Sequence, residues 1–201
     1  MIRYLKCEVK INSAIQLQYS KKSGYCRFFY VSRKWFMRFY TVSDDYVEYL
    51  RTIDHKVPHN KGDDGQKKRP YVGIILDVGG HKFLAPLTSY KKEQDKIPAS
   101  RCTAFKLHER TNSKNKLGMI NLAYMIPILD KHVSELNIDA QTEDYKNLLH
   151  LQYEFIKVNK DEIRQRATKL LEHILVKRTA FYVKISCSFS ALVDSYRLFD
   201  E

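Results

Sequence analysis

Two apolar strands joined by a two-residue turn constrain the fold of this chain more than any other feature. The first strand is YVGIILDV, residues 71–78, and the second is HKFLAPL, residues 81–87. Gly79 and Gly80 stand between them, and a Gly-Gly pair between two apolar runs is typical of a β-hairpin. Pro86 lacks a backbone N–H, so we expect it at an edge, a bulge or the end of its strand.

Other segments add strands and one short helix to this hairpin. The segments 38–43, 102–109 and 117–126 have the aromatic and aliphatic content of strands. The sequence DDYVEYLRTI predicts a helix over residues 44–53, because its two first acids lie near the positive end of the helix dipole. Ser43 can cap that helix.

The C-terminal part changes to a helical period. Apolar residues recur at helical spacing in residues 144–159 and again in residues 161–177, which predicts two amphipathic helices. Strands followed by helices favour the α+β class. We therefore expect a compact antiparallel, β-barrel-like core with packed helices and a helical C-terminal part.

The charge of the chain favours an anionic partner. Its 201 residues include 35 Lys and Arg and 23 Asp and Glu, a formal net charge of +12. Nucleic acid, a membrane surface and an acidic protein all fit that excess. The four cysteines have no zinc-like spacing, so reduced thiols and a cytoplasmic location are the expectation. Every apolar run falls short of the roughly 20 residues of a membrane span.

Residues 1–36 form a basic N-terminal extension rich in aromatic residues. This stretch could be a short hairpin broken near Lys21 to Gly24, or a nucleic-acid-binding segment that combines charge with stacking. It could also be a plain structural appendage, or a misassigned start upstream of Met37. The residues leave these alternatives open.

A polar group follows the second strand of the hairpin directly. The run FLAPL ends at Thr88, Ser89, Tyr90, Lys91 and Lys92. Without further context such a group is usually a solvated turn. Two hydroxyls and two lysines at the end of a buried strand could instead hold a phosphate.

Three stretches of the chain, in order, resemble one family. They are MRFYTVSDDYVEYL (37–50), RPYVGIILDVGGHKFLAPLTSYKK (69–92), and FKLHE with LGMINLAYMIPIL (within 105–129). They resemble the ToxN/AbiQ family, the toxins of type III toxin–antitoxin systems. The resemblance implies a fold similar to MazF and Kid, and it places the usual family start at Met37. Residues 37–201 would then be the toxin domain.

The resemblance also implies an activity and partners. Family members are sequence-preferring endoribonucleases without a metal or other cofactor. The expected chemistry is attack by the 2′-hydroxyl of the RNA, which leaves 2′,3′-cyclic phosphate ends. The expected inhibitor is a small structured antitoxin RNA, processed by the toxin from repeats and bound in a closed protein–RNA assembly. Cellular and phage mRNA would be the substrates, in a cytoplasmic defence by abortive infection that involves no membrane.

Site residues follow from matching the family motif to this chain. Thr88, Ser89 and Lys91 fall on its Thr-Ser-x-Lys group, and Tyr46 falls on a functional tyrosine of the first helix. Arg69 takes a basic position where the family often has lysine, and Tyr90 stands where the family often has proline. The predicted catalytic residues are Ser89, Thr88, Lys91 and Tyr46. The predicted RNA-binding residues are Arg69, Lys92, Lys68 and His81.

Several roles stay open at this point. Lys91 would act as a base only with a pKa far below its usual value of about 10.4. Ser89 fits an orienting or charge-stabilising hydroxyl better than a covalent nucleophile, because no His/Asp partner has useful spacing. On the residues alone, Tyr46 fits helix packing and His81 fits a structural role.

Two rival functions remain compatible with the sequence. The first is a non-catalytic RNA-binding module, since basic strips and stacking aromatics would serve it equally well. The second is a toxin that acts on a protein target. A metal-dependent nuclease fits least, because no paired carboxylates accompany the TSYKK group.

Overall fold

The structure, a computed structural model, describes residues 19–20, 27–28, 38–59 and 71–200. Its largest element is a seven-stranded antiparallel sheet. The strands of this sheet are β3 (Phe39–Val42), β4 (Gly73–Val78), β5 (His81–Thr88), β6 (Ala104–His108), β7 (Lys116–Asn121), β8 (Ile126–Pro127) and β9 (Val133–Glu135). A separate antiparallel pair precedes it, formed by β1 (Tyr19–Ser20) and β2 (Arg27–Phe28).

Five α-helices accompany the sheet in the described part of the chain. They are α1 (Asp44–Ile53), α2 (Glu143–Val158), α3 (Lys160–Leu171), α4 (Ala180–Ile185) and α5 (Phe189–Ser195). The predicted helices over 44–53, 144–159 and 161–177 are confirmed, with a π-helical turn continuing α3 as far as Val176. Ser43 takes the N-cap position of α1, but its hydroxyl makes no capping bond. Within the described ranges, none of the helices combines the length and the apolar character that crossing a bilayer needs.

The predicted hairpin between β4 and β5 is confirmed. Val78 pairs with His81, so Gly79 and Gly80 form the two-residue turn. Their φ angles are +62° and +80°. Positive φ at both central positions defines a type I′ turn, which glycine adopts without a steric penalty and which matches the twist of paired strands.

One edge of β5 is shared between two short partners. Phe83 and Leu84 pair with β8, and Leu87 and Thr88 pair with β7. The Leu87 N–H donates toward β4, to Val72 O at 2.8 Å. Successive N–H groups of a strand point to opposite sides. An N–H at position 86 would therefore point away from β4, toward the edge of β5 where β8 ends and β7 begins. Pro86 therefore sits where the ladder changes partner.

The prediction of one continuous strand over residues 117–126 is wrong in its second half. After β7 the chain makes a 3₁₀ turn at Leu122–Tyr124 and re-enters the sheet as β8. Distant groups hold this turn: the Tyr71 hydroxyl donates to Tyr124 O, and the Cys187 N–H donates to Ala123 O. Such partners lie far away in sequence, so the local strand pattern did not reveal the break.

The sheet is open rather than closed into a barrel. Its strand order is β6-β7-β5-β4-β3-β9, with β8 paired to β5 beside this path. The expected α+β class and antiparallel core are confirmed, while barrel closure is not found in the described residues. The core is built from apolar side chains of the sheet and of α1, α2, α3 and α5, with Leu149, Ile163 and Leu170 almost fully buried.

Candidate functional site

Two hydroxyl side chains stand at the C-terminal end of β5, as the sequence predicts. Thr88 is the last residue of the strand and is half-buried, whereas Ser89 follows it and is exposed. The Thr88 hydroxyl donates to the backbone carbonyl of Met119 on β7, 3.4 Å away. Strand β7 thus contacts both the backbone and the hydroxyl of Thr88, and Ser89 leaves the sheet into solvent.

Gly118 brings β7 unusually close to this strand end. A Cβ on residue 118 would stand 2.1 Å from Thr88 O and 3.2 Å from the carbonyl carbon of Ser89. The register between β6 and β7 shifts here, because Leu107 pairs with Gly118 while His108 pairs with Lys116. A bulge with a glycine at φ +121° therefore allows the backbone contact.

The side chain of Gln94 packs under the segment that follows β5 and bonds to it. It lies in a short 3₁₀ helix, Lys92–Lys96, and is 7% exposed, whereas the other four residues of that helix are exposed. Its amide Nε2 donates to Ser89 O at 2.8 Å and to Thr88 Oγ1 at 3.4 Å. One side chain thus contacts both hydroxyl-bearing residues.

Lys91 and Thr88 line one open cavity of about 300 Å³. The complete lining is Thr88, Lys91, Glu93, Gln94, Ile97 and Met119. Lys91 is exposed and has an extended backbone, immediately before the exposed Lys92 that begins the short helix. The wall is mostly apolar and carries the Glu93 carboxylate as well as the Lys91 ammonium group, so the donors that an anion would need stand at its rim, with Thr88 and Lys91.

Tyr90, Asp95 and Lys116 form a polar network beside this cavity. Lys116 Nζ lies 2.6 Å from Asp95 Oδ2, and the Tyr90 hydroxyl donates to the same oxygen at 2.8 Å. Lys116 also stands 5.2 Å from the centre of the Tyr90 ring. The bond from Lys116, followed by that from Tyr90, lowers the pKa of the Asp95 carboxyl, and the Asp95 contact raises the pKa of Lys116. The network ties the segment after β5 to β7.

Tyr46 lies elsewhere, in the core between α1 and the C-terminal residues. It is fully buried, its hydroxyl donates to Pro127 O at 3.1 Å, and its ring stacks on His132 at 5.0 Å. Pro127 pairs with Phe83, five residues before Thr88 on β5. At about 3.3 Å per residue this separation is roughly 16 Å along the strand. The structure does not bring Tyr46 together with Thr88.

His81 also lies apart from the hydroxyl pair. It begins β5, at the end of the strand opposite Thr88. It is 5% exposed, and its Nδ1 is 3.3 Å from the Tyr196 hydroxyl. That environment supports a structural contact with the C-terminal region.

Two further predicted residues cannot be placed. Arg69 and Lys68 lie outside the described residues. Metal ligands were not predicted, and within the described ranges no group of three or more His, Cys, Asp or Glu side chains could hold an ion.

Sequence reasoning missed Gln94, Gly118 and the partners of Asp95. A glycine inside the predicted strand 117–126 was an available signal, because such a glycine often marks a bulge or a close backbone approach. Gln94 gave no signal, since a glutamine in a charged segment usually faces solvent.

Comparison with known proteins gives a consistent family. A family model described as toxin ToxN of type III toxin–antitoxin systems matches residues 38–197. The chain is 40% identical to Endoribonuclease ToxN of Pectobacterium atrosepticum over 164 residues, covering 81% of this chain and 94% of that protein. It is 33% identical to Endoribonuclease ToxN of Bacillus thuringiensis subsp. kurstaki, covering 82% of this chain and 84% of that one.

Solved structures share the fold. One, described as "A processed non-coding RNA regulates a bacterial antiviral system", has a TM-score of 0.74 at 38% identity, over 82% of this chain and all of that one. Another, described as showing selective toxin inhibition by a non-coding RNA pseudoknot, has a TM-score of 0.68 at 30% identity, over 82% and 98% of the two chains.

Proposed function

This chain belongs to the ToxN family of type III toxin–antitoxin toxins, and from that premise we propose that it is a metal-independent, sequence-preferring endoribonuclease inhibited by a structured RNA. Relatives at 40% and 33% identity are named endoribonucleases. Residues 37–201 are proposed as the toxin domain. The finer likeness to MazF and Kid stays a prediction, since the sheet described above is open.

The proposed reaction uses the substrate's own 2′-hydroxyl as the nucleophile. Its oxygen attacks the adjacent phosphorus as the bond to the 5′-oxygen of the next nucleotide breaks. The products are a 2′,3′-cyclic phosphate and a 5′-hydroxyl. One proton leaves the 2′-hydroxyl and one reaches the departing oxygen, so the enzyme must orient the phosphate and stabilise its extra negative charge.

The observation that supports this proposal is that Thr88, Ser89 and Lys91 lie within four residues at the end of β5, with Thr88 and Lys91 lining one cavity. The hydroxyls of Thr88 and Ser89 are suited to donate to phosphoryl oxygens, and the Lys91 ammonium is suited to neutralise the developing charge. A single fixed donor of this kind is worth about 3 kcal/mol of transition-state stabilisation. Lys92 stands next to Lys91 on the same exposed segment and is proposed to hold a flanking phosphate.

The other predicted site residues have weaker support. Arg69 and Lys68 remain proposed phosphate contacts. The family resemblance supports a catalytic role for Tyr46, and strand position supports RNA binding by His81. Both side chains are buried away from Thr88, however, and that burial favours packing roles.

The proposed partners follow from the relatives. One related structure is described as regulated by a processed non-coding RNA, and another as inhibited by an RNA pseudoknot. We therefore propose that this toxin processes its own repeat-derived antitoxin RNA and forms a closed protein–RNA assembly with it. We also propose that it cleaves cellular and phage mRNA in the cytoplasm, as a defence by abortive infection.

The test is cleavage of a long RNA in EDTA by the full chain and by its Ser89→Ala variant. We expect the wild type to leave 2′,3′-cyclic phosphate ends, and Ser89→Ala to lose cleavage by about 100-fold or more while keeping its RNA affinity. Ser113→Ala is the matched control, because Ser113 is exposed in the loop between β6 and β7.

The other outcomes separate the rival functions. A folded wild type that binds RNA without cleaving it would support a non-catalytic RNA-binding module. A chain without cleavage or salt-dependent RNA binding would favour a toxin with a protein target. Cleavage that survives Ser89→Ala would keep the enzyme and remove Ser89 from the site.

A further inference from the structure

Gln94 is a buried polar residue in an otherwise exposed segment. It is 7% exposed, whereas Lys92, Glu93, Asp95 and Lys96 around it are exposed. Burial of an amide is costly unless the amide forms hydrogen bonds. Here Nε2 donates to Thr88 and Ser89, two of the residues that carry the proposed chemistry.

The Gln94 amide biases the orientation of the Thr88 hydroxyl. A hydroxyl has one donor hydrogen and two acceptor lone pairs. Because Gln94 Nε2 donates to Thr88 Oγ1 at 3.4 Å, one lone pair is used and the hydroxyl hydrogen points away from Gln94. That hydrogen bonds Met119 O at 3.4 Å, and because this contact and the Gln94 contact are equally long and weak, each biases the orientation of the hydroxyl without fixing it. A phosphoryl oxygen in the cavity could therefore replace Met119 O as its acceptor.

The stronger bond of Gln94 holds the backbone at Ser89. Nε2 donates to Ser89 O at 2.8 Å, and the Gln94 backbone N–H donates to Lys91 O at 2.9 Å. A single residue thus bonds three positions of the segment from Thr88 to Lys91. The ion pair between Asp95 and Lys116 anchors the next residue of the same short helix to β7.

We propose that Gln94 is a positioning residue for RNA cleavage, which turns the Thr88 hydroxyl toward the phosphate and holds the Ser89 backbone in place. The inference rests on the proposed endoribonuclease function. In this proposal Gln94 does not touch the reacting atoms. Replacing Gln94 should therefore slow the chemical step more than it weakens RNA binding.

The Gln94→Glu variant tests this with almost no change in size. At neutral pH the introduced carboxylate has no donor and faces two oxygen atoms, so we expect kcat to fall by about 10- to 100-fold with KM within about threefold of wild type. Protonation of the introduced carboxyl restores one O–H donor. The ratio of wild-type to variant kcat should therefore shrink between about pH 8 and pH 5, the range in which a buried glutamate titrates.

Gln94→Leu is the matched comparator, because leucine offers no donor at any pH. Its kcat deficit should stay constant over the same pH range. A positioning role also requires the Gln94→Glu deficit to shrink without a parallel rise in that variant's thermal stability, because a buried carboxylate destabilises the fold most when it is ionised. Gln94→Asn retracts the amide by one carbon and provides a third variant if Gln94→Leu does not fold. It should lose kcat while its thermal unfolding stays closest to wild type. Gln165→Glu makes the same chemical change at an exposed position of α3, outside the cavity lining, and should cleave like wild type.

The outcomes separate this inference from the proposed function. A wild type that fails to cleave RNA overturns the proposed function itself. A cleaving wild type with equally active, folded Gln94 variants overturns the positioning role alone. Equal losses in Gln94→Glu and Gln94→Leu at every pH, with a matching loss of thermal stability, would also overturn it.

Discussion

Gly118 lies so close to Thr88 that a Cβ on residue 118 would stand 2.1 Å from the Thr88 carbonyl oxygen. Real Cβ atoms do not approach a backbone oxygen that closely, so any side chain at position 118 must push β7 away from the end of β5. The geometry of the candidate site therefore depends on a residue that contributes no chemical group to it.

The Gly118→Ala variant should lose both stability and cleavage. The φ of +121° is strained for alanine, at a cost of roughly 1–3 kcal/mol, and the clash with Thr88 O adds to it. Urea unfolding and single-turnover cleavage would measure the two effects. Gly80→Ala is the control, because Gly80 also has a positive φ, +80°, but a Cβ there meets open space. It should lose stability but keep its cleavage rate, and a Gly118→Ala variant with the same behaviour would contradict the expectation.

The Tyr46→Phe variant decides the role of the buried hydroxyl. That hydroxyl donates to Pro127 O and lies well away from Thr88, so we expect a stability loss of about 1 kcal/mol and a cleavage rate within about threefold of wild type. Thermal unfolding and cleavage assays below the transition would test both. Tyr49→Phe, which removes a hydroxyl bonded to Ser195 O, is a matched control. A folded Tyr46→Phe protein with a hundredfold slower reaction would instead place this hydroxyl in the catalytic group.

The contact between Asp95 and Lys116 should make stability depend on acidity. The Asp95 carboxyl has a lowered pKa in the folded chain. Its stabilising effect is therefore fully present above the unfolded pKa of 3.8 and is lost as the pH falls through the lower folded pKa. Lys116 has a raised pKa, so its share is present below 10.5 and is lost as pH rises through the higher folded value.

The Asp95→Asn variant should have a stability that depends less on pH in the acid range than the stability of the wild type. We expect a small effect at neutral pH that shrinks further in high salt, because the pair is solvent-exposed. Melting temperatures of wild type and Asp95→Asn across the acid range would show it. Parallel curves for the two proteins would mean that the contact does not form in solution. Asp139→Asn, an exposed partner of Lys146 far from the cavity, serves for comparison.

Cys187 should resist alkylation in the folded protein. Burial, with a smaller contribution from Asp54, raises the pKa of its thiol to about 12, so almost no thiolate is present at neutral pH. Brief iodoacetamide treatment followed by peptide mass spectrometry should leave Cys187 unmodified, and Cys102 likewise because it is 1% exposed. Both should react after unfolding in urea. Rapid modification of Cys187 under native conditions would show that the region around α5 opens readily.

Much of the fold was readable because its signals are local. The Gly79-Gly80 turn and the two long C-terminal helices are set by neighbouring residues, through φ preference and apolar period. The break at Leu122–Tyr124 and the short strands β8 and β9 were not readable, because their partners lie far along the chain. A two- or three-residue strand has too short a pattern to be recognised alone.

By itself the sequence determined that Thr88, Ser89 and Lys91 lie together, since they are contiguous and follow a strand whose apolar pattern is unmistakable. Tertiary structure decided what surrounds them: Gln94 beneath the segment, Gly118 against Thr88, and Lys116 on Asp95. It also decided that Tyr46 is buried at Pro127. The physical reason is that residue type and spacing determine local conformation, whereas hydrogen-bond partners and close contacts arise when separate strands and turns pack together.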